Sequence, residues 1–334
     1  VFKNKYGKGT IYTTESILEA CKDCNLLPDF DFTLENADEY GETLFPGNGM
    51  EFIHRRTALT DVYFVSNQHY KAKIIKAKFR VADKLPELWD AETGEVITAP
   101  EYKKLADGRM EVTLRMEEAG SVFVVFRKGL AEESANNFIP TKEIDKLMFT
   151  TPWSISFEGA GAPKSIVMNE LMDISKYETK DVKYFSGTIS YKNQINVEDL
   201  KEGTKMILNL GEVNVAAKVF VNGKSSGLLW KRPFTLDITD ALKTGKNDIK
   251  VNVANLWINR VVGDQELPDD CVWTTNTGST AKGMGLAKIP DWVIEGKEST
   301  TGRKAFVGWK WEHLKGKELL PSGLVGPVSI NLEK

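Results

Sequence analysis

Glu266, Asp269 and Asp270 share a long stretch, 257–302, with Trp257 and Trp273, and by type these acids are the nearest approach to a hydrolytic centre. Cleaving a glycosidic bond takes two carboxyl groups about 5 to 9.5 Å apart, one giving a proton and the other acting as nucleophile or base. Sequence spacing does not fix such a distance, and 47 acidic residues produce many accidental neighbours. Loop carboxylates are mostly solvated, so a structural role is the ordinary reading and no catalytic residue is assigned. A second group suits binding better than bond breaking. Trp230, Arg232, Asn255, Trp257, Asn259 and Arg260 combine indole rings with amides and guanidinium groups on the ends of expected strands. A pyranose stacks its C–H face on a ring and pairs its hydroxyls with such groups. The competing reading packs both indoles in a core or junction and pairs the arginines with nearby acids.

Other chemistries find less support. His54, His69 and His313 are far apart in sequence and no G-x-S-x-G accompanies them, so a serine–histidine–acid centre is not indicated. His54, near Arg55, Arg56 and Asp61, fits ion pairing that orients a strand. Cys21 and Cys24 form a C-x-x-C late in an expected helix, whereas a redox thiol wants a helix N-terminus. No second such pair completes a zinc site, so they read as helix residues on adjacent turns, and Cys271 as a free thiol. Gly159-Ala-Gly161-Ala-Pro-Lys164-Ser165 lacks phosphate-loop spacing, and Pro163 would remove a backbone donor from an anion nest. Gly283 and Gly285 lack the third glycine of a dinucleotide turn. No cofactor is expected, and a structural Ca²⁺ held by loop oxygens would leave no readable motif.

The elements that must carry these groups are mainly strands. Ala217 to Val221, the pair Asn222-Gly223 and Gly227 to Trp230 predict a hairpin with a two-residue turn. Thr235 to Ile238 adds a strand and Asp240 to Leu242 a helical turn. Asp248 to Ala254 places Ile249, Val251 and Val253 on one face and Lys250 and Asn252 on the other, the pattern of a sheet half-buried in a sandwich. Earlier, Ile75, Ala77, Phe79 and Val81 alternate with Lys76, Lys78 and Arg80. With Val62 to Val65, Val112 to Met116 and Val122 to Phe126 they predict a small immunoglobulin-like antiparallel sandwich. Before it, Lys8 to Thr13 reads as one strand and Glu15 to Cys24 as an amphipathic helix capped by Thr14, too little for a core. Pro28 to Gly49 reads as a connector, Lys128 to Asp145 as a boundary, and 257–302 as a long loop. The expected layout is 1–30 as the tail of an upstream α/β domain, 31–130 a small β-sandwich, 131–145 a linker and 146–334 a second sandwich.

The run from Leu208 to Trp257, with LNLGEV, VFVNGK and PFTLDITDALKTGKNDIKVNVANLW in order, resembles the galactose-binding-like jelly roll that accompanies many glycoside hydrolases, including the sugar-binding domain of family 2. Trp257-Ile-Asn-Arg-Val-Val-Gly-Asp-Gln-Glu-Leu-Pro268 and Leu320-Pro-Ser-Gly-Leu-Val-Gly-Pro327 resemble the C-terminal end of family 106 glycoside hydrolases, the multi-domain α-L-rhamnosidases. Phe52-Ile-His-Arg-Arg-Thr57 with Asp61-Val-Tyr-Phe-Val-Ser-Asn67 resembles a stretch upstream in that family. The resemblance implies a galactose-binding-like fold for the second sandwich and a catalytic barrel N-terminal to residue 1. It implies too a periplasmic or extracellular setting, upstream domains of the same protein as partners, and a rhamnose-containing glycan as ligand. The chain is then expected to be the non-catalytic C-terminal portion, a scaffold and carbohydrate-binding module. Two alternatives stay open: a hydrolase with its own centre in 257–302, and a stand-alone glycan-binding protein.

Bulk properties agree with that class. The 334 residues exceed one ordinary domain, and the absence of an initiator methionine suits a fragment. With 41% hydrophobic residues and no apolar run near 18 residues, no membrane span is expected. A net charge of −3 with mixed signs offers no field for nucleic acid or anionic lipid.

Overall fold

A computed structural model describes residues 2–14, 16–35, 49–129, 142–199, 202–274 and 285–334. Mainly β and antiparallel throughout its named strands, it divides into two compact units, Val1–Pro140 and Thr141–Lys334.

In the first unit, a four-stranded sheet runs in the order Phe30–Leu34, Lys73–Phe79, Met110–Met116, Tyr102–Lys104. A five-stranded sheet runs Met50–Arg56, Asp61–Asn67, Ser121–Gly129, Lys84–Trp89, Val96–Thr98. The period-two pattern explains both, because Tyr63, Val65, Ile75, Ala77, Phe79, Val112, Leu114 and Phe126 all point into one buried cluster. Each large apolar side chain so buried contributes about 1.5–3 kcal/mol before the ordering entropy is set against it. Three expectations change here. The presumed connector holds a core strand, Phe30–Leu34, whose Phe30 packs on Phe52 and Phe79 at 4.8 and 5.4 Å between ring centroids. The expected lone strand is a hairpin, Phe2–Tyr6 with Gly9–Thr13. The helix is shorter, Ile17–Asp23 with Ser16 at its N-cap, and Thr14 instead bonds Glu19. None of that helix is buried, leaving Ile17 and Leu18 77% and 66% exposed.

The second unit stacks a four-stranded sheet, Glu143–Met148, Ser329–Glu333, Lys205–Asn209, Thr235–Asp237, with a six-stranded one. The larger sheet runs Ile166–Met168, Trp153–Glu158, Thr188–Val197, Gly245–Ala254, Ala216–Val221, Lys224–Leu229. Ile155, Ile189, Tyr191, Val219, Ile249, Val251 and Val253 from the larger sheet join Met206, Leu208 and Ile330 from the smaller in one cluster. The two-residue turn is present, with Asn222 at φ 51° and Gly223 at φ 81°. The presumed linker already holds the start of the Glu143–Met148 strand, and residues 130–141 lie outside the described ones. The long loop is also corrected, since Ile258–Asp264 is a helix buried along most of its length and Asp291–Ile294 a short one. Residues 275–284, including Gly283, lie outside the described ones.

Candidate functional site

The ring-and-amide set gathers at one end of the six-stranded sheet. Leu229 pairs with Ala217 and Ala254 with Ala216, so the chain leaves both strands at the same end, one toward Trp230 and Arg232 and the other toward Asn255. Trp230 is 60% exposed and Arg232 is exposed beside it. Trp257, 53% exposed, meets Trp311 edge to face at 5.9 Å, and Trp311 in turn lies 5.5 Å from the His313 ring.

The amides in this set are committed to backbone. Asn255 donates to the Phe185 carbonyl at 3.2 Å and accepts from Gly323 N–H at 3.0 Å. Asn259 donates to the Leu320 carbonyl at 2.7 Å and accepts from Leu320 N–H at 2.9 Å. Arg260 is buried, and its Nε and Nη2 have no hydrogen-bond partner among the described residues. Burial lowers the guanidinium pKa against the attraction of Asp264 and Asp181. Burial likewise raises the Asp264 carboxyl, although Lys304 and Ala305 N–H donate to it at 3.0 and 2.8 Å. Four of the six residues therefore sit at the entry to one buried helix, with one exposed indole and two anchoring amides.

The candidate acids are also spoken for. Arg303, buried, donates to the carbonyls of Leu267 and Pro268 and to Asp269 at 3.1 Å, and lies 3.9 Å from Asp270. Lys310 pairs with Asp269 at 2.9 Å. Burial opposes charge on Asp269, but Lys310 and Arg303 outweigh it and hold the carboxyl below the usual range. Asp270 accepts from Ser299 at 2.6 Å and from the Cys271 thiol at 3.2 Å. Glu266 accepts from Gly316 N–H at 3.2 Å. A carboxylate neutralised by two cations is a poor general acid, and these groups tie Glu266, Asp269 and Asp270 to Ser299, Arg303, Lys310 and Gly316.

The three histidines occupy separate places. His54 lies flat on Tyr63 at 3.9 Å, with Asp29 at 2.9 Å and Asp61 at 3.2 Å from its ring nitrogens, an ion-pair knot that Lys84 and Arg56 complete. His69 meets Lys73 Nζ at 2.6 Å. Among the described residues no three of His, Cys, Asp or Glu cluster as metal ligands.

A surface that the sequence reading passed over lies on the outward face of the six-stranded sheet. There Ser154, Lys192, Gln194, Phe220, Asp248 and Lys250 line a groove of about 580 Å³. The signal was present, since Lys192 and Gln194 alternate with buried Tyr191 and Asn193, as Lys250 does with Ile249 and Val251.

Two kinds of likeness bear on this chain. Residues 1–104 match the family 106 glycoside hydrolase model, described as α-L-rhamnosidase. The rhamnosidase from Novosphingobium sp. PP1Y superposes on 99% of this chain with a TM-score of 0.71 at 30% identity. The chain thus contains a family 106-like region, residues 1–104. The chain as a whole covers 27% of that rhamnosidase. It is 40% identical over 195 residues to a putative β-glucuronidase of Formosa agariphila, matching 56% of this chain and 16% of that protein. Another putative β-glucuronidase of the same organism is 32% identical over 78 residues, 23% of this chain and 10% of its own. The chain thus spans about a quarter or less of the length of these relatives.

Proposed function

We propose that this chain is the non-catalytic C-terminal portion of an α-L-rhamnosidase-like glycoside hydrolase acting outside the cytoplasm. Its two sandwiches, the second a galactose-binding-like jelly roll, serve as a scaffold for the catalytic domain and hold carbohydrate. The observation that carries the reading is the hairpin and helix of residues 2–23, whose Ile11, Ile17 and Leu18 are 57%, 77% and 66% exposed on elements with no core of their own. Apolar side chains in such density suit the cover of a further domain, and the greater length of the relatives is in keeping with one. The commitment of Glu266, Asp269 and Asp270 to protein donors supports the non-catalytic assignment. The test is incubation of the purified chain with an aryl α-L-rhamnoside. No turnover above buffer is expected, and sustained hydrolysis that Asp269→Asn or Glu266→Gln abolishes would overturn the reading.

A further inference from the structure

We infer that the outward face of the six-stranded sheet binds a pyranuronate unit of an acidic polysaccharide. The inference rests on the reading of this chain as a carbohydrate-holding part of a glycoside hydrolase, and it concerns a surface away from the Trp230 and Trp257 set. The ladder aligns Ser154, Lys192, Lys250 and Phe220 side by side across four strands, and Gln194 with Asp248 in the next row. Lys192 and Lys250 are therefore direct cross-strand neighbours of like charge, an arrangement that weakens a sheet unless an anion separates them.

No carboxylate among the described residues does so. Among the described residues no ion pair reaches Lys192, Lys218 or Lys250, and the sole acid lining the groove, Asp248, takes a 2.8 Å hydrogen bond from Gln194. Instead the Lys250 ammonium rests 4.1 Å from the Phe220 ring centroid, with Lys218 at 5.4 Å from the same ring. Phe220 is half-buried and lines the groove. An aromatic face beside two uncompensated ammonium groups fits a sugar that is apolar on one side and anionic at its rim.

A uronate meets this geometry more closely than a neutral hexose. Its carboxylate stands on the ring carbon itself, so stacking on Phe220 keeps the charge within reach of both Lys192 and Lys250. The carboxylate draws Lys250 off the aromatic face, and the C–H face of the pyranose takes its place. Gln194, Asp248 and Ser154 then offer donors and acceptors for the hydroxyls. The volume, about 580 Å³, is of the size of small-ligand sites.

Affinity electrophoresis of the whole chain through gels containing polygalacturonate, dextran or dextran sulfate tests this. Polygalacturonate should retard the chain and dextran should not. Lys192→Gln with Lys250→Gln should weaken the retardation about fivefold or more, the loss of two exposed charge pairs. Phe220→Leu, which keeps the apolar bulk, should weaken it as well, and an unchanged thermal transition separates loss of contact from loss of fold. Absence of retardation by polygalacturonate overturns the inference. So does equal retardation of the double lysine variant, or dextran sulfate binding that surpasses polygalacturonate and ignores Phe220. Turnover of aryl rhamnosides plays no part in these outcomes, so the accessory reading and the groove can fail separately.

Discussion

Replacing Asn259 with alanine separates the two roles open to that side chain, sugar ligand or structural clip. Asn259 is 3% exposed and bonds both the N–H and the carbonyl of Leu320. Truncation removes both bonds at Leu320, which is itself 47% exposed, at about 0.5–1.5 kcal/mol each, or roughly 1–3 kcal/mol together. For a unit the size of Thr141–Lys334, each kcal/mol moves the midpoint by about 2–4 °C, so the expected fall is about 2–12 °C. Differential scanning calorimetry reads this as a shift of the second unit's transition, with that of Val1–Pro140 unmoved. A midpoint within about 1 °C of the parent would refute the reasoning, because a loss so small is out of scale with two lost hydrogen bonds from a buried amide. Glycan binding lost at unchanged stability would return Asn259 to the ligand set.

Two further outcomes follow from titration. At Asp61 burial opposes charge, but Lys84 and His54 prevail, and at Glu87 Lys128 and Arg127 do the same, so both folded carboxyls lie below their ordinary values. The stability they give is complete above the unfolded value, about 4, and drains as pH falls through the depressed folded values, so the midpoint of the first unit should drop from about pH 4 downward. Asp61→Asn and Glu87→Gln should each flatten that slope in a pH series of thermal melts. Burial, with the hydrogen bond to Asp270, pushes the Cys271 thiol up to about 12. Brief iodoacetamide treatment at pH 8 followed by mass mapping should therefore label the exposed Cys24 and leave Cys271 unmodified. Equal labelling of the two would show that the surroundings of Cys271 open readily.

The parts legible from sequence were those in which burial writes a period. Ile249, Val251 and Val253 alternate because one face of their strand is core, and Asn222-Gly223 advertises its turn because few other pairs tolerate positive φ at both positions. Phe2–Tyr6 escaped notice because its five residues are all exposed, which leaves no alternation to read. Phe30–Leu34 was too short and too flanked by acids to stand out, though Phe30 and Phe32 both pack against the core. The Ile258–Asp264 helix was hidden because Asn259, Arg260 and Asp264 are buried polar residues, which erases the amphipathic contrast. The same fact limited the candidate site. Residue type named Asn255 and Asn259 as hydroxyl partners, but whether an amide faces solvent or a backbone clip is decided by the fold around Gly323 and Leu320. Arg303, 36 residues from Leu267, carried no local signal of the carbonyls it holds.

Glu143 lies opposite Glu333 in the ladder, and Lys142 and Lys334 exchange backbone hydrogen bonds at 3.0 and 3.1 Å just beyond it. Tension applied between those two residues would meet the ladder one rung at a time, as a zip, and not load all rungs together as a shear. A module closed in this way yields to small pulling forces at its own door, so a neighbour tethered there could peel the edge strand Glu143–Met148 while the core behind it stays packed.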